Sequence, residues 1–260
     1  MSPLPCAWSV VIPAFNEADR LPRYLQEVAL FFEGQDSAHE IVVVDDGSAD
    51  DTAGRARELA RAHPAIRVER LPRNRGKGHA VRVGMLGARG ALRLMADADG
   101  ATPIGEVKRL AAAVEAGADV AIGSRALRDP SVAVRARRHR RIGGWLFHAA
   151  VRAVGVSGVI DTQCGFKLFR GPVADELFGA ARSDGFAFDV ELLLLAQRRG
   201  LRVAEVPVNW TDQRGSKVGL LRDGPGMLWQ LVRLRARLGR HPRGQDSRGQ
   251  DSRARMPRPR

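Results

Sequence analysis

Leu92-Arg-Leu-Met-Ala-Asp97-Ala-Asp99-Gly100-Ala-Thr102-Pro103 is an apolar run closed by two carboxylates two residues apart, with a helix start behind them. In extended backbone, side chains at i and i+2 project from the same face. Asp97 and Asp99 therefore offer oxygens to one hard cation of the Mg²⁺ or Mn²⁺ type, the kind that commonly holds a diphosphate. The competing reading gives Asp99 and Thr102 to turn and helix-cap hydrogen bonds ahead of Pro103. The surrounding chain decides between them.

Outward from this stretch the same grammar repeats. Trp8–Pro13, Glu40–Val44, Ile66–Leu71 and Asp119–Ser124 are short apolar strands. Between them the spacing predicts helices over Asp19–Phe32, from the Asp50-Asp51-Thr52 cap to Ala62, over His79–Gly90 and over Pro103–Ala116. Apolar strands alternating with amphipathic helices imply an α/β domain with a mainly parallel sheet covered on both faces. In such sheets ligands bind beyond the carboxyl ends of the strands. Asn16-Glu17, Asp45-Asp46, Arg75-Lys77, Asp97-Asp99 and Ser124-Arg125 all fall at or near such ends, which points to a single nucleotide-type site. Arg75-Gly-Lys77-Gly lacks the leading glycine and the Ser/Thr of a P-loop, and reads as a turn with one useful lysine.

The second half is less regular. Val134–Arg141 carries five arginines in eight residues, ahead of a Trp-bearing apolar helix over Ile142–Val156. Asp161–Phe169 combines a polar loop with a short strand, and Phe186–Leu195 opens a helix. Leu201–Trp210 is a strand broken by Pro207, hence an edge. Arg214–Lys217 is a loop, and Gly226–Leu238 is a cationic amphipathic helix of the interfacial type. From residue 239 to 260 the chain holds seven Arg, two Asp and a tandem Arg-Gly-Gln-Asp-Ser, and is expected to be a disordered basic tail.

Of the net charge of +13, that tail holds +5 and residues 1–238 hold +8. Such a chain favours anionic partners: nucleotides, an anionic membrane surface or nucleic acid. No recognition motif or aromatic platform accompanies the charge, so no specific nucleic acid is expected. Cys6 and Cys164 form neither a zinc pattern nor a disulfide framework, as in a reduced cytoplasmic setting. No apolar run approaches the roughly 18 residues of a spanning helix, so any membrane contact is expected to be peripheral, at the inner face.

Val11-Ile-Pro-Ala-Phe-Asn-Glu17, Val44-Asp-Asp-Gly-Ser48, Asn74-Arg-Gly-Lys-Gly78 and Asp97-Ala-Asp99, in this order, resemble glycosyltransferase family 2. Within it, Asp97–Thr102, Gly123-Ser-Arg125, Asp161-Thr-Gln-Cys-Gly-Phe-Lys-Leu-Phe169 and Gly215–Val218 are most similar to the dolichyl- or polyprenyl-phosphate sugar transferases, leaning to the glucosyl branch. The resemblance spans about residues 8–238. It implies a GT-A fold, a nucleotide-sugar donor (UDP-glucose before GDP-mannose), Mg²⁺ or Mn²⁺, inversion at the anomeric carbon and a polyprenyl-phosphate acceptor, with a non-lipid acceptor as the near alternative. It implies one catalytic domain over residues 1–238, with a donor half at 8–124 and an acceptor half at 125–238. By the same resemblance Pro13, Ala14, Glu17 and Asp45 hold base and ribose, and Asp46 supports their loop. Lys77, Asp97 and Asp99 fall at the diphosphate and metal, and Arg125, Arg138 and Lys217 around the acceptor and leaving phosphates. Asp161, or else Asp189, falls at the proposed base. The oligomeric state is left open.

Overall fold

The computed structural model describes residues 7–35, 37–135, 151, 155–213 and 220–239. Arg138, Lys217, the arginine run beyond Arg135, nearly all of the expected 142–156 helix and the tail beyond Gly239 lie outside the described residues.

β1 (Trp8–Ala14), β2 (His39–Asp45), β3 (Ile66–Arg70), β4 (Leu92–Ala96), β5 (Val120–Ser124), β7 (Phe166–Arg170) and β8 (Val203–Pro207) form a seven-stranded sheet in the order β3-β2-β1-β4-β7-β5-β8. β6 (Val134–Arg135) pairs separately with β9 (Trp210–Thr211). β1, β2 and β5 are buried along almost their whole length because both faces of the sheet are covered. Along β1, Val10, Ile12 and Ala14 join one cluster with residues of α1 (Leu21–Glu33), α2 (Thr52–Ala62) and α4 (Val107–Glu115). Val11 joins the opposite cluster, with α3 (Lys77–Gly87), α5 (Gly171–Ala180), α6 (Phe188–Arg198) and α7 (Leu220–Gly239). Each large aliphatic side chain so withdrawn from water contributes on the order of 1.5–3 kcal/mol. That apolar sandwich holds the strand ends in register.

The first five strands follow the sequence expectation closely, and β8 is an edge strand as Pro207 predicts. The expected helix at Pro103 opens as a 3₁₀ turn, Ile104–Glu106, before α4 begins. α3 starts at Lys77, two residues before the expected helix start at His79. α5, with proline in its first turn, was absent from the sequence reading.

The main departure is β7, antiparallel to both β4 and β5 in an otherwise parallel sheet. Residues 124–125 and 160–161 meet at the carboxyl edge, where Arg125 N donates to Asp161 Oδ2 at 2.9 Å. A strand that sets out from that edge must run back across the sheet. The amino end of β7 therefore lies at the edge where β1, β2, β4 and β5 finish, and residues 161–165 join the site.

Candidate active site

The exits of β1 and β2 are laced by polar side chains bonded to backbone. Asn16 N donates to Ser48 Oγ at 2.8 Å, Ala49 N to Asn16 Oδ1 at 2.8 Å and Glu17 N to Thr52 Oγ1 at 2.8 Å. Asn16 holds φ 53°, a left-handed conformation that asparagine tolerates. Asp45 is fully buried; Oδ1 accepts Ser48 N at 3.0 Å and the Ser48 hydroxyl, and Arg70 Nε lies 3.4 Å from Oδ2. Asp46 reaches the next loop, accepting Arg75 N at 2.9 Å and Gly76 N at 2.8 Å. Gly76 has φ +109°, and a Cβ there would fall 2.5 Å from Asp184 O, so this turn requires glycine. Pro13 and Ala14 end β1 beside Val44 and Asp45, and Ala14 O accepts Asp46 N at 2.8 Å.

This lacing delivers Lys77, the first residue of α3, to the exit of β4. Its Nζ lies 2.6 Å from Asp97 Oδ1. Burial pulls the Lys77 ammonium down, but the charges of Asp97, Asp189 and Asp99 outweigh it and hold its pKa above the ordinary lysine value. Asp97 N donates to Gly165 O at 3.0 Å, and a Cβ on Gly165 would fall 1.9 Å from Asp97 Oδ2. Only glycine lets this carboxylate lie against the backbone that leads into β7. Asp99 Oδ1 accepts Ala101 N at 3.1 Å, so the turn reading also holds for one of its oxygens. Burial and then the charge of Asp97 push Asp99 above the ordinary carboxylate value. Two carboxylates two residues apart, the second raised by burial and by the charge of the first, fit a divalent cation. Among the described residues no group of three or more His, Cys, Asp or Glu forms a complete protein cage. Two protein carboxylates suit an ion whose other ligands come from a bound diphosphate and water.

Across the edge, Arg125 Nε and Nη2 donate to Asp161 Oδ2 and Oδ1, both at 2.7 Å. The guanidinium lies over the Trp210 ring, 5.4 Å from its centroid. Burial alone would raise Asp161; the hydrogen bonds and charge of Arg125 outweigh it and hold the carboxyl below its ordinary range. Glu205 on β8 fixes the turn, accepting Asp161 N and Ile160 N at 2.8 Å and Ser124 Oγ at 2.6 Å. Asp189 is 1% exposed and meets the ammonium of Lys167, itself 1% exposed.

These contacts pair both candidate bases with cations. Asp161, the first candidate base, is committed to Arg125 and made less basic by it. Asp189, the second, is buried with Lys167. The cap expected of Asp50–Thr52 is also redistributed: Asp50 accepts Thr52 N at 3.1 Å, while Asp51 at the N-cap makes no side-chain cap bond. The structure brings Pro13, Ala14, Glu17, Asp45, Asp46, Lys77, Asp97, Asp99, Arg125 and Asp161 to one edge of the sheet. The sequence reading missed Glu205, whose only signal was one acid in the strand Val203-Ala-Glu-Val-Pro207. It also missed Arg20, which donates from Nε to Glu17 Oε2 at 2.7 Å and whose charge reaches Asp97 and Asp99.

The sequence family described as Glycosyl transferase family 2 matches residues 9–178. The chain is 43% identical over 224 residues to the dolichyl-phosphate beta-glucosyltransferase of Drosophila melanogaster, covering 81% of this chain and 68% of that protein. It is 39% identical over 240 residues to the protein of the same name from Homo sapiens, covering 83% and 72%. Among solved structures it resembles glucosyl-3-phosphoglycerate synthase from Mycobacterium tuberculosis in complex with Mn²⁺, uridine-diphosphate and phosphoglyceric acid, with a TM-score of 0.67, 20% identity and coverage of 91% and 80%. The shared architecture is the GT-A fold.

Proposed function

Because this chain belongs to glycosyl transferase family 2, we propose that it is an inverting, metal-dependent glucosyltransferase that moves glucose from UDP-glucose to dolichyl or another polyprenyl phosphate. The observation that carries the reading is the meeting of Lys77 with Asp97 beside Asp99, at the edge shared by the β1 and β2 exits. Support for sugar and acceptor comes from relatives of about 40% identity named for both.

In this reading residues 8–124 bind the donor. Pro13, Ala14, Glu17 and Asp45 hold base and ribose, and Asp46 keeps their loop closed through the Arg75 and Gly76 amides. Asp97 and Asp99 would hold Mg²⁺ or Mn²⁺, which supplies charge neutralisation at the departing diphosphate. Lys77 adds a second positive charge at the same place.

Residues 125–238 receive the acceptor. An acceptor phosphate oxygen attacks C1 of glucose as the C1–O bond to UDP breaks, and the electron pair leaves with UDP. A phosphate monoester has a second pKa of about 6, so at neutral pH the nucleophile is already largely ionised. A base is unnecessary, which suits the commitment of Asp161 to Arg125. Asp161 and Trp210 orient the Arg125 guanidinium for the acceptor phosphate. Arg138 and Lys217 carry the same cationic role.

The lipid would be met at an anionic membrane surface. Among the described residues no helix is long and apolar enough to cross a membrane. α7 exposes Trp229 (58%) and Val232 (62%), with the Arg233 guanidinium 4.1 Å from the Trp229 ring centroid. An apolar face flanked by arginines is the composition of an interfacial helix.

The test is sugar transfer into an organic-soluble product. Purified protein is incubated with Mn²⁺ or Mg²⁺, polyprenyl phosphate and, separately, labelled UDP-glucose, UDP-galactose or GDP-mannose. Lipid-soluble label from UDP-glucose alone is expected. Label from GDP-mannose instead overturns the sugar assignment, and donor hydrolysis without labelled lipid overturns the acceptor.

A further inference from the structure

We infer that Lys167 and Asp189 form a buried positioning pair, which holds the Cys164–Gly165 backbone against Asp97 and so sets the geometry of the diphosphate and metal site. The inference rests on the metal role proposed above for Asp97 and Asp99. Lys167 lies in the middle of the sheet, in register with Met95 of β4 on one side and Ile122 of β5 on the other. Its β7 neighbours Phe166, Leu168 and Phe169 are apolar and buried. An ammonium at such a position carries a desolvation cost of several kcal/mol, and buried ion pairs replaced by apolar residues of similar volume are often no less stable. Fold stability is therefore a weak reason for lysine here.

The contacts supply a better one. Lys167 Nζ donates to Cys164 O at 2.6 Å and to Asp189 Oδ1. The carbonyl it grips belongs to the peptide that enters Gly165. Gly165 O in turn accepts Asp97 N, and its Cα lies directly against the Asp97 carboxylate. One ammonium thus ties the start of α6, through Asp189, to the backbone that supports Asp97. Both side chains are buried behind the Asp97 carboxylate: Lys167 acts through backbone on Asp97, and Asp189 holds the Lys167 ammonium in place.

The deciding experiment uses the full chain with Lys167→Met and Asp189→Leu combined. Mn²⁺ binding in the presence of UDP is followed by electron paramagnetic resonance, beside a thermal melt and the Mn²⁺ dependence of transfer. The expected result is a melting temperature equal to or above wild type, with Mn²⁺ affinity weakened about tenfold or more, the size seen when supporting partners of metal ligands are lost. Wild-type Mn²⁺ affinity in the folded double variant overturns the inference. If the double variant does not fold, Asp189→Asn decides by the same titration: weakened affinity supports the pair and unchanged affinity overturns it. Asp97→Asn separates the two readings. If it too binds Mn²⁺ like wild type, the metal role fails and the inference falls with it; if it loses Mn²⁺ while the double variant does not, only the positioning role fails.

Discussion

The proposed donor and acceptor sides of the site hold their carboxylates in a different balance of ways. On the proposed donor side Asp46 and Asp50 accept backbone amides, Asp45 and Asp99 each accept one as well, and these bonds shape the loops, while Arg70, Lys77 and Arg20 add side-chain cations at Asp45, Asp97 and Glu17. On the proposed acceptor side Asp161, Asp189 and Glu191 each meet a side-chain cation, Arg125, Lys167 and Arg237, with backbone amides added at Asp161 and Glu191. A carboxylate bonded to amides fixes a loop and leaves its charge for whatever the loop binds. One paired with a guanidinium or ammonium neutralises its own charge and aims the cation. The first arrangement suits a polar nucleotide read by shape. The second suits an acceptor that brings its own negative charge.

Substitutions can break that contrast. The largest effect is expected where the two sides touch. Asp97→Asn or Asp99→Asn should lower transfer by about a thousandfold or more with the fold intact, and EDTA should abolish wild-type turnover; persistence of full rate in EDTA would remove the metal from the scheme. Gly165→Ala should come close behind, because its methyl group displaces Asp97; a crystal structure of the variant with an unmoved Asp97 would refute this.

Arg125→Ala leaves the buried Asp161 without its cation and should cost about 2–4 kcal/mol, read by denaturant unfolding. Its kinetic effect should fall on acceptor saturation and leave donor KM nearly unchanged. Asp46→Ala should do the reverse: a loss of about 1–3 kcal/mol from two unsatisfied amides, with the donor KM raised. If both variants shift the same KM, the two-sided description is wrong.

The acidic range sharpens the comparison further. Asp161 has a depressed folded pKa, so its contribution is fully present above the unfolded carboxylate value of about 4 and is lost as pH falls through the lower folded value. The stability gap between wild type and Asp161→Asn should therefore shrink as pH drops below about 4. Asp189, which burial pushes upward, has the opposite sign: its contribution is present below about pH 4 and is lost as pH rises through the folded value. Unfolding free energies of the two Asn variants against pH should diverge in slope. The smallest effect is expected at the membrane, where Trp229→Ser with Val232→Ser should weaken sedimentation with anionic vesicles by about tenfold while sparing donor hydrolysis.

Much of the donor side was legible in the sequence because each strand carries its polar residues at its own carboxyl end. The chain order of Glu17, Asp45, Lys77 and Asp97 then becomes a spatial cluster as soon as the strands are parallel. The acceptor side was less legible. Asp161 and Asp189 both read as candidate bases, and nothing local says which cation each will meet. Their partners are chosen by β7, whose reversal no residue pattern in Asp161–Phe169 announces.

The sequence by itself therefore determined the α/β class, the first five strands, the glycosyltransferase motifs and the paired carboxylates, since these depend on periodicity and on order along the chain. The tertiary structure alone decided the direction of β7, the closeness of Gly165 to Asp97, the commitment of Asp161 to Arg125 and the enclosure of Lys167 with Asp189. Those features depend on which elements pack together, and buried charges take the partners that packing brings within reach.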